Sequence, residues 1–258
     1  MLLHDKIAVV YGAGGAVGST VAAAFARDGA QVFLAGRTLD KVRKVAEQIT
    51  GEGGTAEAAQ VDARDEQAVE RHVADVVGRA GRIDVLFNAI GMEDIQGTSL
   101  LDMPFEDFEH PVATAARTQF LTARAVARRM VARRSGVIMT ITAEPSPAAN
   151  LGGFMPACSL VEGLWRSLAV ELGPHNVRTV VVRSAGSPDA PGVEAVSRMH
   201  AENNGAEFDD SEWGSHTMFG RLPRLAEVAG VATLLASDRA SAVTGAISNV
   251  TCGAFVDL

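Results

Sequence analysis

Along its 258 residues the chain alternates short β-branched runs with stretches whose apolar residues recur at helical spacing. KIAVVY (6–11), QVFLAG (31–36), TAEAAQVD (55–62), RIDVLFNAIG (82–91), GVIMTIT (136–142), VRTVVVR (177–183) and AISNVT (246–251) read as strands. Between them, GSTVAAAFARDG, LDKVRKVAEQIT, a run from about Phe105 to Arg134 and another over 153–174 read as helices. That alternation leaves few folds open. Parallel strands need a crossover, helical crossovers are right-handed, and a sheet built this way is covered on both faces. The expected fold class is α/β, a doubly wound parallel sheet of about seven strands with helices on both faces. No linker, composition break or internal repeat divides the chain, so 1–258 is expected to form a single domain.

One segment departs from the pattern. From about Ser187 to Gly220 the sequence is irregular, with Pro188, Pro191, Gly205 and Gly214 among polar residues. A connection of that length is usually functional, and 187–220 is expected to be a lid carrying His200, Trp213 and His216 over a ligand.

Composition narrows the partners. A net charge of −8 argues against nucleic acid or an anionic membrane surface. The densest basic spot, Arg128, Arg129, Arg133 and Arg134, reads as a solvated helix C-terminus favoured by the helix dipole. No run reaches the roughly 20 apolar residues of a membrane span. MLLHDKIAVVYGAGG lacks the features of a secretory leader. The two cysteines, Cys158 and Cys252, form no metal spacing, so no metal is expected. A reduced, soluble, cytoplasmic protein acting on a small molecule is the expectation.

The first strand runs directly into YGAGGAVG (11–18), which opens the first helix. In that position glycines allow a tight turn, close approach of backbone to a pyrophosphate and close helix–strand packing. The helix N-terminus adds oriented N–H groups. The fold is therefore expected to be Rossmann-like, with a dinucleotide at Gly12, Gly14, Gly15, Val17 and Gly18. Arg37 follows the second strand where an acidic residue would hold a ribose 2′-hydroxyl; an arginine there suits a 2′-phosphate and favours NADP over NAD. An ordinary exposed arginine is the alternative. Asp62 reads either as an acceptor for the adenine amino group or as a helix N-cap in DARDEQAV.

These segments resemble the short-chain dehydrogenase/reductase family over nearly the full chain. YGAGGAVG is similar to its TGxxxGxG, VDARD to its adenine-side Asp motif and DVLFNAIG to its NNAG strand. GRLPRLAEVAGVATLLASDRASAVTG is close to its GRxxxPEEVAxxVxFLASDxASxxTG. The resemblance adds Asn88, Gly91 and Gly186 to the cofactor-binding residues and implies a homo-oligomer built through the two long helices and the last strand. It also exposes departures: Ala16 stands at the second glycine, and Ala190 at the usual threonine of the turn SAGSPDAP.

The larger departures are chemical. The resemblance implies reduction of carbonyls or oxidation of alcohols through a Tyr, a Lys, a Ser and an Asn. Anchored on VEGL (161–164), Phe154 occupies the Tyr position and Cys158 the Lys position. Ala115 occupies the Asn position, and the Ser position falls on Thr142 or Ala143. No shift of register restores the pair, because the only tyrosine is Tyr11 and the only lysines are Lys6, Lys41 and Lys44. Phenylalanine cannot transfer a proton, and cysteine supplies no fixed positive charge. Glu144, His110, Arg117, Glu93 and Asp94 remain as candidate replacements near strand C-terminal ends. Three functions stay open: an oxidoreductase with a changed proton donor, a cofactor-binding sensor or partner subunit, and a non-redox enzyme reusing the pocket.

Overall fold

The computed structural model describes residues 1–143, 149–191, 214–215 and 217–255. Seven strands, β1 (Ile7–Tyr11), β2 (Gln31–Gly36), β3 (Thr55–Gln60), β4 (Val85–Asn88), β5 (Gly136–Ala143), β6 (Val177–Ser184) and β7 (Ala246–Val250), form one sheet in the order β3-β2-β1-β4-β5-β6-β7. Every pairing is parallel. The strand order reverses between β1 and β4, which opens a crevice beyond their C-terminal ends.

Among the described residues six α-helices cover the sheet: α1 (Ala16–Arg27), α2 (Leu39–Gly51), α3 (Glu66–Ala80), α4 (Phe105–Arg133), α5 (Phe154–Leu172) and α6 (Leu225–Ala236). β1 shows why both faces need cover. Ile7, Val9 and Tyr11 enter one apolar cluster with residues of α3, α4 and α5, while Ala8 and Val10 enter another with α1, α2 and α6. With side chains alternating at period two, a central strand apolar at every position is buried on both sides. The expected doubly wound sheet and its elements are present. Glu144, His200, Trp213, His216 and most of the expected lid lie outside the described residues.

Two polar devices fix the layers. At the N-terminal edge, buried Asp84 accepts from the Ile7 N–H at 2.9 Å, Arg82 Nε at 2.9 Å and Arg133 Nη1 at 3.2 Å. Arg133, expected to be merely solvated, thereby ties the end of α4 to β4. Within the core, the Tyr11 hydroxyl lies 2.9 Å from His72 Nδ1, joining β1 to α3. Burial lowers the His72 pKa to about 4 and raises that of Tyr11, so a neutral imidazole meets a neutral phenol.

His72 sets an acid limit on stability. The unfolded imidazole takes up a proton near its usual 6.5, but the folded one holds out until about 4. Stability is therefore complete above pH 6.5 and declines as pH falls toward 4, by about 3 kcal/mol for this group. Chemical denaturation from pH 7 to 4 should show that slope, and His72→Gln should flatten it.

Candidate functional site

The site begins with a close backbone approach. Gly12, with φ of +74°, carries the chain out of β1, and a Cβ there would lie 2.3 Å from the Ala89 carbonyl oxygen after β4. A Cβ on Gly18 would lie 2.3 Å from the Gly12 carbonyl oxygen. Only glycine fits at either place, so the turn folds tightly and α1 starts against it. Gly15 caps α1 in extended conformation and Ala16 opens the helix, aiming its first N–H groups at the crevice.

A cleft of about 260 Å³ follows from this geometry. Gly12, Gly14, Gly15, Arg37, Asp62 and Gly91 all line it, together with Thr38 and Lys41 at the start of α2, Arg64, Ile90 and Glu93. Val17, Gly18, Asn88 and Gly186 are not among its described lining. Gly18 packs α1 on the turn, and Val17 packs against the core. Asn88 is fully buried: its side chain donates to Thr122 Oγ1 at 2.8 Å and accepts from the Ile90 N–H at 3.0 Å, which shapes the strand end behind the cleft. Gly186, at φ +92°, turns the chain after β6.

The charges in the cleft are paired across it. Arg37, one residue past β2, forms an ion pair with Glu93 in the β4–α4 connection. His110 Nε2 of α4 approaches the same carboxylate at 3.5 Å. The Arg37 hydrogen bond, foremost, holds the Glu93 carboxyl below the usual carboxylate range. Asp62 receives Arg64 Nε and Nη2, each at 3.2 Å, and its carboxyl is likewise held low, first by that bond. The helix-cap reading of Asp62 is corrected: Asp65 caps α3, accepting from the Gln67 and Ala68 N–H groups. Asp62 stands three residues too early for that geometry and faces the cleft instead. Of the other candidate replacements, Arg117 Nε donates to the Arg64 carbonyl at 2.5 Å, and Asp94 accepts from Gln96.

The chemical end is built differently. Ala115 and Cys158 are buried in one hydrophobic cluster and Ala143 and Phe154 pack against it, so these family positions are apolar, while the other candidate for the Ser position, Thr142, is polar. Phe154 begins α5 immediately after Gly153, where a Cβ would lie 2.1 Å from the Phe108 carbonyl oxygen of α4. Burial pushes the Cys158 thiol up to about 11, which leaves it protonated and uncharged at neutral pH. Thr142 has a different fate from Ala143. Its hydroxyl donates to Glu162 Oε1 at 3.1 Å, and Glu162 is held bidentately by Arg183 at 3.0 and 2.9 Å.

Thr142, Arg183 and Asn249 are register partners across β5, β6 and β7, and Arg183 Nη1 donates to Asn249 Oδ1 at 3.1 Å. The Arg183 guanidinium also lies 4.7 Å from the Phe255 ring centroid. Sequence reasoning missed this row. The signal was an arginine inside the apolar run VRTVVVR with an acidic residue on the covering helix. It also missed Ser184, whose buried hydroxyl at the end of β6 has no hydrogen-bond partner among the described residues.

A nicotinamide dinucleotide fits the first half of this description. The glycine turn is a cradle that a Cβ would fill, and the cations of the cleft face where phosphates would lie. Among the described residues, no group of three or more His, Cys, Asp or Glu could hold a metal, and no helix is long and apolar enough to cross a membrane.

Comparison with known proteins agrees with the site. Residues 12–254 match the family described as enoyl-(acyl carrier protein) reductase. The chain is similar to L-rhamnose 1-dehydrogenase (NAD(P)(+)) of Azotobacter vinelandii, 35% identical over 100% of both chains. It is also similar to the crystal structure of a short-chain type dehydrogenase/reductase from Mycobacterium marinum, with TM-score 0.87 and 29% identity over 99% of this chain and 97% of that one. A 7α-hydroxysteroid dehydrogenase complexed with NADH and 7-oxo glycochenodeoxycholic acid superposes with TM-score 0.85 at 27% identity, covering 99% and 96%.

The buried ion pair gives a test of the chemical end. Glu162→Met removes a bidentate carboxylate from the Arg183 guanidinium, which is only 3% exposed, and should cost about 3–5 kcal/mol. The double change Glu162→Met with Arg183→Met should cost clearly less, as measured by urea unfolding.

Proposed function

Starting from a chain that belongs to the short-chain dehydrogenase/reductase family, we propose an NADP(H)-binding oxidoreductase that acts on a carbonyl or alcohol with an atypical source of the proton. The observation that carries this reading is Arg37 at the end of β2, lining the cleft beside the glycine turn. An arginine there matches a ribose 2′-phosphate in charge and fork geometry. Gly12, Gly14 and Gly15 would admit the pyrophosphate, Asp62 would accept from the adenine amino group, and Gly91 and Gly186 would border the rest.

When bound, a nicotinamide cofactor supplies the hydride that a carbonyl carbon receives, or accepts one from an alcohol. The protein's part is then to hold the substrate oxygen and arrange one proton. Phe154 has no proton to give. Cys158 is buried and neutral, so it neither grips a ribose nor lowers a neighbour's pKa. The proton on the alkoxide comes from water or from an acidic group of the substrate. Loss of a positioned general acid costs about 10²- to 10⁴-fold in rate, so turnover is slow.

A second reading rests on Ala115, Phe154 and Cys158 at the Asn, Tyr and Lys positions: a protein that binds the cofactor without redox turnover, as a sensor or partner subunit. Either form is proposed to be a homo-oligomer in the cytoplasm. Phe120 on α4 and Val170 on α5, 44% and 78% exposed, support assembly through the long helices.

Calorimetry separates these outcomes. NADPH should bind with micromolar affinity, and Arg37→Ala should weaken it at least about tenfold while sparing NADH. Absence of binding by either nucleotide would sink the cofactor reading. Phe154→Tyr combined with Cys158→Lys should then raise NADPH consumption across a carbonyl panel. A folded double variant that binds NADPH and stays inert would favour the sensor.

A further inference from the structure

The cleft holds a second determinant of nucleotide choice, on the opposite wall from Arg37. We infer that Glu93 sets how well the cleft discriminates a 2′-phosphate from a 2′-hydroxyl, because its carboxylate occupies the guanidinium that the phosphate would need. The inference rests on the cofactor reading above and goes beyond it by assigning the selectivity to a residue on a different strand connection.

The geometry is specific. Glu93 lies five residues past the end of β4, and its φ of 56° places a non-glycine residue in the left-handed region. Its carboxylate bridges two other elements, taking Arg37 from the end of β2 and His110 from α4. Two connections and the N-terminal part of α4 therefore meet over the cleft through one side chain.

The charge pattern decides the consequence. Arg37, Lys41 and Arg64 are the cations of the described lining, and Asp62 and Glu93 its carboxylates. Asp62 engages Arg64 with both oxygens, and Glu93 engages Arg37. Among the described residues no carboxylate pairs with Lys41. A 2′-phosphate, carrying about −1.5 to −2 charges, must take Arg37 from Glu93 and then sit beside the displaced carboxylate. Glu93 keeps its charge at neutral pH, since Arg37 holds its carboxyl low.

A 2′-hydroxyl carries no charge and meets neither penalty. Both Arg37 and Glu93 are partly exposed, at 52% and 39%, so the pair opens readily and weakens NADP binding without abolishing it.

The test measures NADPH and NADH affinity by calorimetry for the full chain and for Glu93→Gln, with Glu93→Ala as a second variant. NADPH should bind about three- to tenfold tighter to both variants, a gain that shrinks in high salt, while NADH stays within about twofold. An unchanged NADPH-to-NADH ratio, or an equal gain for both, would overturn the inference and leave the cofactor reading standing. No binding of either nucleotide to any of the proteins would overturn both.

Discussion

The whole site hangs on one close contact between backbones. Where β1 ends, Gly12 passes so near the Ala89 carbonyl that a single methyl group could not be inserted. That approach sits at the reversal of strand order, between the two strands whose connections leave in opposite directions. It fixes the start of α1, the mouth of the crevice and the direction of the β4–α4 connection that carries Glu93. A parallel sheet supplies the reversal; only a residue without Cβ supplies the closeness.

How much of this was legible depends on the range of the interaction involved. The sheet could be read because its determinants are local: apolar runs such as IAVVY and VRTVVV, helix-length patterns between them, and a glycine turn after the first strand. The cleft could be read for the same reason, since Gly12, Gly14 and Gly15 are neighbours and Arg37 directly follows β2. Pairing could not. Arg37 and Glu93 are 56 positions apart, and His72 meets Tyr11 across 61. Asp62 shows the limit within a short motif. DARD offers two aspartates for one helix start, and the chain places Asp65 at the cap and Asp62 on Arg64.

The chemical end was legible only as a set of replacements. The sequence placed Phe154 and Cys158 where the resemblance calls for a tyrosine and a lysine, but it did not show what surrounds them. An apolar cluster including Phe154, Cys158, Ala115 and Ala143 now lies beside a polar row of Thr142, Glu162, Arg183 and Asn249. Single-residue reading favours the first kind of information over the second, because a buried charge becomes interpretable only when its partner is known.

The two ends of the crevice thus differ in how freely their charges can be spent on a ligand. At the end lined by Arg37 and Asp62 the ion pairs are partly exposed and joined by flexible side chains, so each exchange with solvent involves a small energy difference. At the other end Arg183 and Glu162 are buried at 3% and 6% exposure, and separating them removes a bidentate partner from a charge shielded from water. A cation does lie near the strand ends where chemistry would occur, but it belongs to the fold. Recognition can therefore change at the first end while the sheet stands, whereas any recruitment of Arg183 to a substrate would have to supply a replacement for Glu162 in the same step.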